Sequence, residues 1–551
     1  MTNSSQDRPN ILFLFSDEHR WRSMGHTGMP ELQTPHMDAM AREGLSLTHC
    51  IANNPVCVPY RAMLLSGLWS QRNTAVSNGV FFDRSMIGKR HPTLGHTISN
   101  AGYRTGYIGK WHLGGDTSPK AGFETFLEWH RHDDHWNSSW SDVMQNPEVE
   151  TVYDGYNAVG MTDQALQFID GVATDERPFF LMLSWNPPHF RWDDAPTGDA
   201  ALYPNGRLST PANAPDSLTH DLEYRHYHAH ITAVDRELGR ILEKLDTLGL
   251  RENTIVIYTS DHGSGWHSNG YFSKPHPTDE VVRVPGMIQG PGIEAGRTIS
   301  APIGTLDLHA TLCGWAGTEP ASGCPGQDIS RAISGETGAR LPDAQLISNP
   351  VNPSVYFRRI FHEEVPRTDH IPFRGIRTVE MTYVVTVTRE EMLYHHGQDP
   401  DQLRNLAADP AYAEEKTALR QRLRRLMEES IEGADIVPPN VTDLSIEEWI
   451  AAEEAHYALK WSERLAWKER DKILAAHQST NAAELITQIS EQVYDQDYLR
   501  RYGYYRLQLY SFWAIKDDDA WKAKKRELDD YLNKKAERFE TLLTQNDSAG
   551  Q

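Results

Sequence analysis

The sequence predicts an α/β protein: a mixed, mostly parallel central sheet between helices, a smaller antiparallel C-terminal subdomain and a helical C-terminal extension. Three observations predict it. Short, unbroken apolar runs bounded by Pro, Asn, Ser or Asp recur along the first half of the chain, as in strands buried on both faces. Segments of helical periodicity separate them, and polar, ionisable residues follow strand after strand. From about Val351 the texture turns to a hairpin pattern and then to a helix-rich tail.

In chain order, residues 11–15 form the first expected strand, with Asp17 at its carboxyl end, where open α/β sheets place ligands. Residues 34–44 read as a helix ending at Gly44. A helical stretch up to Gly102 precedes a strand over 103–108, which leads into Gly109-Lys110-Trp111-His112-Leu113-Gly114. Arg177-Pro178 introduces a strand over 179–183 that ends in Asn186-Pro187-Pro188-His189. Ile231, Val234, Leu238, Ile241, Leu242 and Leu245 keep a helical period that Gly249 ends, and the strand 254–259 runs into Ser260-Asp261-His262-Gly263. Residues 373–379 and 383–387 read as an antiparallel hairpin, Leu419, Leu423 and Leu426 mark one face of a later helix, and Val437-Pro438-Pro439-Asn440 reads as a linker. Domains are therefore expected at 1–345, 346–436 and 437–551.

The chain is long enough, at 551 residues, to bury a large core in more than one domain. Its net charge of −22 disfavours nucleic acid or an anionic membrane as a partner, so an anionic substrate needs a locally cationic pocket. The four cysteines, Cys50, Cys57, Cys313 and Cys324, make neither a disulfide framework nor a zinc spacing, which fits a reduced compartment. Residues 1–8 lack a basic targeting region, and the run 11–15 is too short for a signal or a membrane span. A soluble, cytoplasmic protein is expected.

The chain turns on residues 54–67, where Cys57, Pro59 and Arg61 alternate just ahead of an apolar helical run and Ser66-Gly67. Unpaired N–H groups at a helix start favour negative charge, so Cys57 would sit beside an anion site with Arg61 one turn on. This C-x-P-x-R pattern resembles the signature of the type I sulfatases of the alkaline-phosphatase superfamily, close to its phosphonate monoester hydrolase branch. Val58 and Tyr60 stand where that family more often has small polar residues. The resemblance runs from about Pro9 to Leu406 and implies an alkaline-phosphatase-like fold.

It also implies a site. Cys57 would be oxidised to formylglycine, whose hydrate is the nucleophile, with Arg61 fixing it. Asp17, Asp261 and His262 would bind one divalent cation beside Cys57, with Glu18 a further candidate where the family usually has a second aspartate. Calcium is expected, with manganese as the alternative because an imidazole softens the donor set. Lys110 and His112 would hold the modified residue and the transferring group, while His189 and Lys274 would face the ester oxygens, one of them protonating the leaving alcohol. One hydroxyl of the hydrate attacks sulfur or phosphorus, the alcohol leaves, and the second hydroxyl collapses to the aldehyde.

The implied activity is hydrolysis of sulfate esters, with a sulfated sugar or aryl sulfate as substrate and a formylglycine-generating enzyme as partner. The alternative is a phosphonate monoester or phosphodiester hydrolase, for which Asn78 stands at a similar distance beyond the nucleophile. A more remote one is a non-catalytic anion-binding protein. Pocket walls are expected from 129–140, with His130, His132 and His135, and from Arg191-Trp192-Asp193-Asp194. Beyond Asn440 a capping box at Ser445-Ile446-Glu447-Glu448 starts a helix. Trp449, Trp461, Trp467, Trp513 and Trp521, with the aromatic stretch 502–513, suggest a homo-oligomer contact.

Overall fold

The computed structural model describes residues 8–78, 80, 81, 86–114, 121–130, 134–351, 372–388, 390–453, 456 and 457. A ten-stranded sheet runs through it. At its centre Asn10–Ser16 lies between Phe179–Ser184 and Thr254–Ser260, parallel to both. Arg104–Lys110 and Thr125–Trp129 extend the parallel part on one side, while Gly286–Gln289 pairs antiparallel on the other. The central strands are buried at every position, which is why they read as unbroken apolar runs.

Helices cover both faces. Ile11, Phe13 and Phe15 share a core with residues of the helices Cys57–Ser66, Leu94–Asn100 and Thr305–Trp315. Leu12 and Leu14, equally buried, point the other way, toward the layer in which Asn157–Val172, Pro35–Glu43 and Leu222–Thr247 pack together. Asp235 of the last helix accepts the backbone N–H groups of His36 and Met37 and so caps the Pro35–Glu43 helix, whose own N-cap Thr34 makes no side-chain cap.

The antiparallel unit has four strands, Ala344–Asn349, Phe373–Thr378, Met381–Thr386 and Glu391–His395 in that order. The boundary expected after residue 345 thus falls inside its first strand. Its inner face packs on the helix Ala413–Ile431 through Leu419, Leu423 and Met427. Met63 and Leu306 belong to the same apolar cluster, so this unit abuts the helix that starts at Cys57.

The capping box at Ser445 forms, with Ser445 N–H donating to Glu448 Oε2 at 2.9 Å and Glu448 N–H donating to Ser445 Oγ at 3.3 Å. The helix it opens, beginning at residue 446, buries Ile446, Trp449 and Ile450 against the antiparallel unit of its own chain, not at a subunit contact. Trp461, Trp467, Trp513, Trp521 and the stretch 502–513 lie outside the described residues. Among the described residues no helix is long and apolar enough to cross a membrane.

Candidate active site

Asp17 follows the Asn10–Ser16 strand and Asp261 follows its parallel neighbour Thr254–Ser260, so adjacent strand ends deliver two carboxylates side by side. Cys57 faces them from the first position of the helix Cys57–Ser66, all of whose residues are buried. Val56, the N-cap, offers no side-chain cap. Asn78 supplies one from outside: its Oδ1 accepts from the Val58 N–H at 3.0 Å, while its Nδ2 stands 3.9 Å from Cys57 Sγ. Gly67 ends the helix in the left-handed region, φ 69, its N–H returning to the Met63 carbonyl.

Arg61, one turn along, ties the strand ends together. Its Nη2 donates to Asp17 Oδ2 at 2.9 Å and to Asp261 Oδ2 at 3.0 Å, and its Nη1 donates to Ser184 Oγ and the Lys110 carbonyl, each at 2.7 Å. The guanidinium engages the Oδ2 of each aspartate and leaves both Oδ1 atoms turned inward. Asp17 Oδ1 lies 3.7 Å from Cys57 Sγ and 3.7 Å from His262 Nε2, and Asp261 Oδ1 lies 3.5 Å from that nitrogen. His262 Nδ1 is held by the Gly263 carbonyl at 2.9 Å, which aims Nε2 at Cys57 Sγ, 3.2 Å away.

Cationic side chains close the ring. Lys110 Nζ pairs with Asp17 Oδ2 at 2.7 Å. Lys274 Nζ lies 3.2 Å from Cys57 Sγ, 3.0 Å from Glu18 Oε2 and 3.0 Å from His262 Nε2. His189 Nε2 stands 3.9 Å from both Asp17 Oδ1 and Glu18 Oε2, and the His112 imidazole lies within interaction range of Cys57. Lys110 is aimed by the glycine before it: Gly109 has φ 113, and a Cβ there would come within 2.1 Å of the Ser184 carbonyl. Glu18 and His112 are left-handed without being glycine, φ 70 and φ 61, the kind of backbone strain that gathers at functional sites. Tyr227 Oη holds the Glu18 carbonyl at 2.8 Å.

The electrostatics are lopsided. Burial pushes Asp17 up, but Lys110, His189, Lys274 and Arg61 outweigh it and hold the carboxyl well below its ordinary range. Asp261 is pushed up to about 6 by burial and by the charge on Asp17. Burial and Asp17 likewise raise the Cys57 thiol, yet Lys274, Lys110 and His262 win and keep it well below the usual thiol range. Two buried carboxylates sharing one space cannot both ionise cheaply unless a cation stands between them. Asp17, Cys57, Asp261 and His262 each offer a ligand atom within 4.8 Å of the others, and Glu18 Oε1 is buried without a hydrogen-bond partner. Oxygen donors with one imidazole suit a single divalent ion.

Every residue expected at the site from the sequence falls within this one cluster: Asp17, Glu18, Cys57, Arg61, Asn78, Lys110, His112, His189, Asp261, His262 and Lys274. Glu18 spends its Oε2 on Lys274 and groups with Asp17 and His189. The expected pocket walls differ. Trp129, His135 and Trp192 are buried, while Trp136 is exposed; His132 lies outside the described residues. Trp192 packs on Trp266 and donates from Nε1 to the Pro188 carbonyl at 2.8 Å, bracing the segment that carries His189. Sequence reasoning missed Ser184 and Tyr227. Ser184 ends a strand parallel to Asn10–Ser16, which is a signal that could have found it.

A buried nucleophile position ringed by cations at the carboxyl edge of a mostly parallel sheet can hold a tetrahedral anion in line for displacement, the work of an ester hydrolase acting on sulfate or phosphate groups. The family profile named Sulfatase matches residues 9–318, more than half of the chain. The chain belongs to the sulfatase family and is a sulfuric ester hydrolase. It is 30% identical over 436 residues to an ulvan-active sulfatase of Formosa agariphila, covering 77% of this chain and 81% of that one. It is 26% identical to an N-acetylglucosamine-6-O-sulfatase of Bacteroides thetaiotaomicron, covering 76% and 86%. Among solved structures, a protein in complex with its substrate D-glucosamine-2-N,6-O-disulfate shares the fold with TM-score 0.64 at 24% identity, covering 77% of this chain and 99% of that one. A phosphonate monoester hydrolase of Agrobacterium radiobacter does so with TM-score 0.57 at 21% identity, covering 77% and 96%.

Proposed function

We propose that this enzyme removes sulfate from a sulfated sugar, using formylglycine generated from Cys57 by a formylglycine-generating enzyme and one divalent cation held by Asp17, Asp261 and His262. The observation that carries the reading is the convergence of Lys110, Lys274, His189 and His262 on the Cys57 position beside two buried carboxylates. The names of relatives that act on ulvan and on N-acetylglucosamine-6-sulfate support a sugar over an aryl leaving group. Calcium fits the oxygen-rich donors, with manganese as the alternative.

The cation, when bound, supplies Lewis-acid polarisation and lets both aspartates ionise, and the aldehyde hydrate supplies the attacking oxygen. The chain's own residues do the rest. Arg61 locks the carboxylates and the first helical turn in one geometry. In the thiol form burial disfavours the Lys274 ammonium, but the charges of Cys57, Glu18 and Asp17 outweigh it and hold the group above the ordinary lysine range; Glu18 and Asp17 stay beside it when residue 57 is formylglycine and keep it cationic. It serves the sulfate oxygens and is a poor acid. His189, an imidazole on the open side of the cluster, is therefore the proton donor to the leaving alcohol.

The test is turnover on a panel of sugar sulfates, an aryl sulfate, a phosphonate monoester and a phosphodiester, with mass spectrometry of the peptide spanning Cys57. Highest kcat/KM on a sugar sulfate is expected. Higher kcat/KM on the phosphonate would reverse the assignment, and an unmodified thiol in fully active protein would end the formylglycine role. We also propose a homo-oligomer; full-length protein that scatters light as a monomer would dismiss it.

A further inference from the structure

A second group of metal-competent side chains lies outside the hydrolytic centre. His135 comes from the segment before the strand Ser139–Asp142, Asp194 from the loop five residues past His189, and His230 from the helix Leu222–Thr247. Both imidazoles are fully buried, with ring centroids 4.4 Å apart. His135 Nδ1 lies 2.8 Å from Asp194 Oδ1, and His230 Nε2 lies 3.4 Å from the same oxygen.

The outer contacts set the inner ones. Tyr156 Oη holds His230 Nδ1 at 2.7 Å, which turns Nε2 toward Asp194. Trp136 Nε1 donates to the Asp194 carbonyl at 2.6 Å, and the Asn157 N–H donates to the His135 carbonyl at 2.7 Å. These are the supporting bonds that orient ligands around an ion. Within the group, His230 Nε2 is buried with no well-formed hydrogen bond, Asp194 Oδ1 lying at the long distance of 3.4 Å. One donor atom from each residue falls within 4.8 Å of the other two. Ligands placed about 2.0 Å from a tetrahedral ion stand about 3.3 Å apart, so separations of 2.8 and 3.4 Å need little adjustment to close on one ion.

We infer that His135, Asp194 and His230 form a second cation site, taking a zinc-type divalent ion through two imidazole nitrogens and one carboxylate oxygen. The donor set differs from the oxygen-rich hydrolytic centre and selects a borderline metal over calcium. Its position makes it a clasp. The ion joins the loop that carries His189 to the long helix and to the 134–140 segment, three pieces of chain that are otherwise far apart in sequence.

The test uses full-length protein stripped of metal and titrated with Co2+, read by visible ligand-field absorption, in the wild type and in Asp17→Asn, His135→Gln and His230→Ala. One equivalent of tetrahedral Co2+ is expected in the wild type and in Asp17→Asn, displaced by Zn2+, and lost in both histidine variants. Absorption that persists in both histidine variants, or that disappears with Asp17→Asn, overturns the site. Should a histidine variant fail to fold by circular dichroism, the Asp17→Asn protein decides alone: Zn2+ must raise its Tm and bind at one equivalent, and no binding refutes the inference.

Discussion

The hydrolytic centre and the His135–Asp194–His230 group are both buried clusters of ligand-type side chains, yet they are furnished oppositely. Asp17 is pressed by Lys110, Lys274, Arg61 and His189, whereas the ion-pair partners of Asp194 are His135 and His230. Cations that crowd a metal site weaken its hold on a metal. Their presence at Asp17 makes sense only if a second anion, the substrate's, is to share the space. Among the described residues no lysine or arginine is ion-paired with Asp194. The contrast teaches that the charge around a ligand set, more than the ligands themselves, separates a reacting centre from a clasp.

Several measurements break or sharpen that contrast. Cys57→Ala should lower turnover by about 10³-fold or more with circular dichroism unchanged, because the nucleophile acts as a unit with the groups around it. Asp17→Asn should cost on the order of 10³-fold and abolish cation binding at the hydrolytic centre alone. A loss of both cations would merge the two sites into one. His189→Ala should cost about 10²-fold on a sugar sulfate and far less on an aryl sulfate, whose leaving group needs no proton. Equal losses on both substrates would move the acid role to another residue.

The pH dependence follows from Asp261, whose carboxyl is pushed up to about 6 by burial and by Asp17. A cation must displace that proton and the one on His262, whose imidazole burial lowers but Asp261 raises to about 9, so apparent affinity at the hydrolytic centre should fall about tenfold per unit from pH 9 toward 6 and more steeply below 6, in calorimetric titration. The sign for the cation-free fold is the reverse of the usual aspartate. A raised folded pKa contributes stability that is present below the unfolded value and lost as pH rises through about 6. The smallest effect belongs to Asn78→Ala, which removes the external cap of the Cys57 helix and should lower stability by about 0.5–2 kcal/mol in denaturant unfolding.

The fold was legible where burial is two-sided. Residues 11–15, 179–183 and 254–259 announce themselves because a strand covered on both faces tolerates no polar position, and the observed strands extend them by only a residue or two. The centre was legible because strand ends and a motif named its residues. What stayed hidden depends on side-chain direction across long separations. That Arg61 takes Oδ2 of both aspartates and that Asn78 caps Val58 are facts of rotamer and packing with no local signal. Trp449 was misleading for the opposite reason: a large aromatic in a tail looks unpartnered until the helix Ala413–Ile431 and its sheet are in place to receive it.

Cys57 sits at zero exposure at the head of a helix with no solvent-facing residue. Any enzyme that oxidises the thiol must therefore meet it on the unfolded or nascent chain, before the Asn10–Ser16 and Thr254–Ser260 strands come together. On the proposed maturation of Cys57, oxidation and folding would compete in time, and a molecule that folds first would be locked in the thiol form for as long as it stays folded. Specific activity in a purified batch would then record how fast the chain was made relative to how fast it was oxidised, a history that no later chromatography can undo.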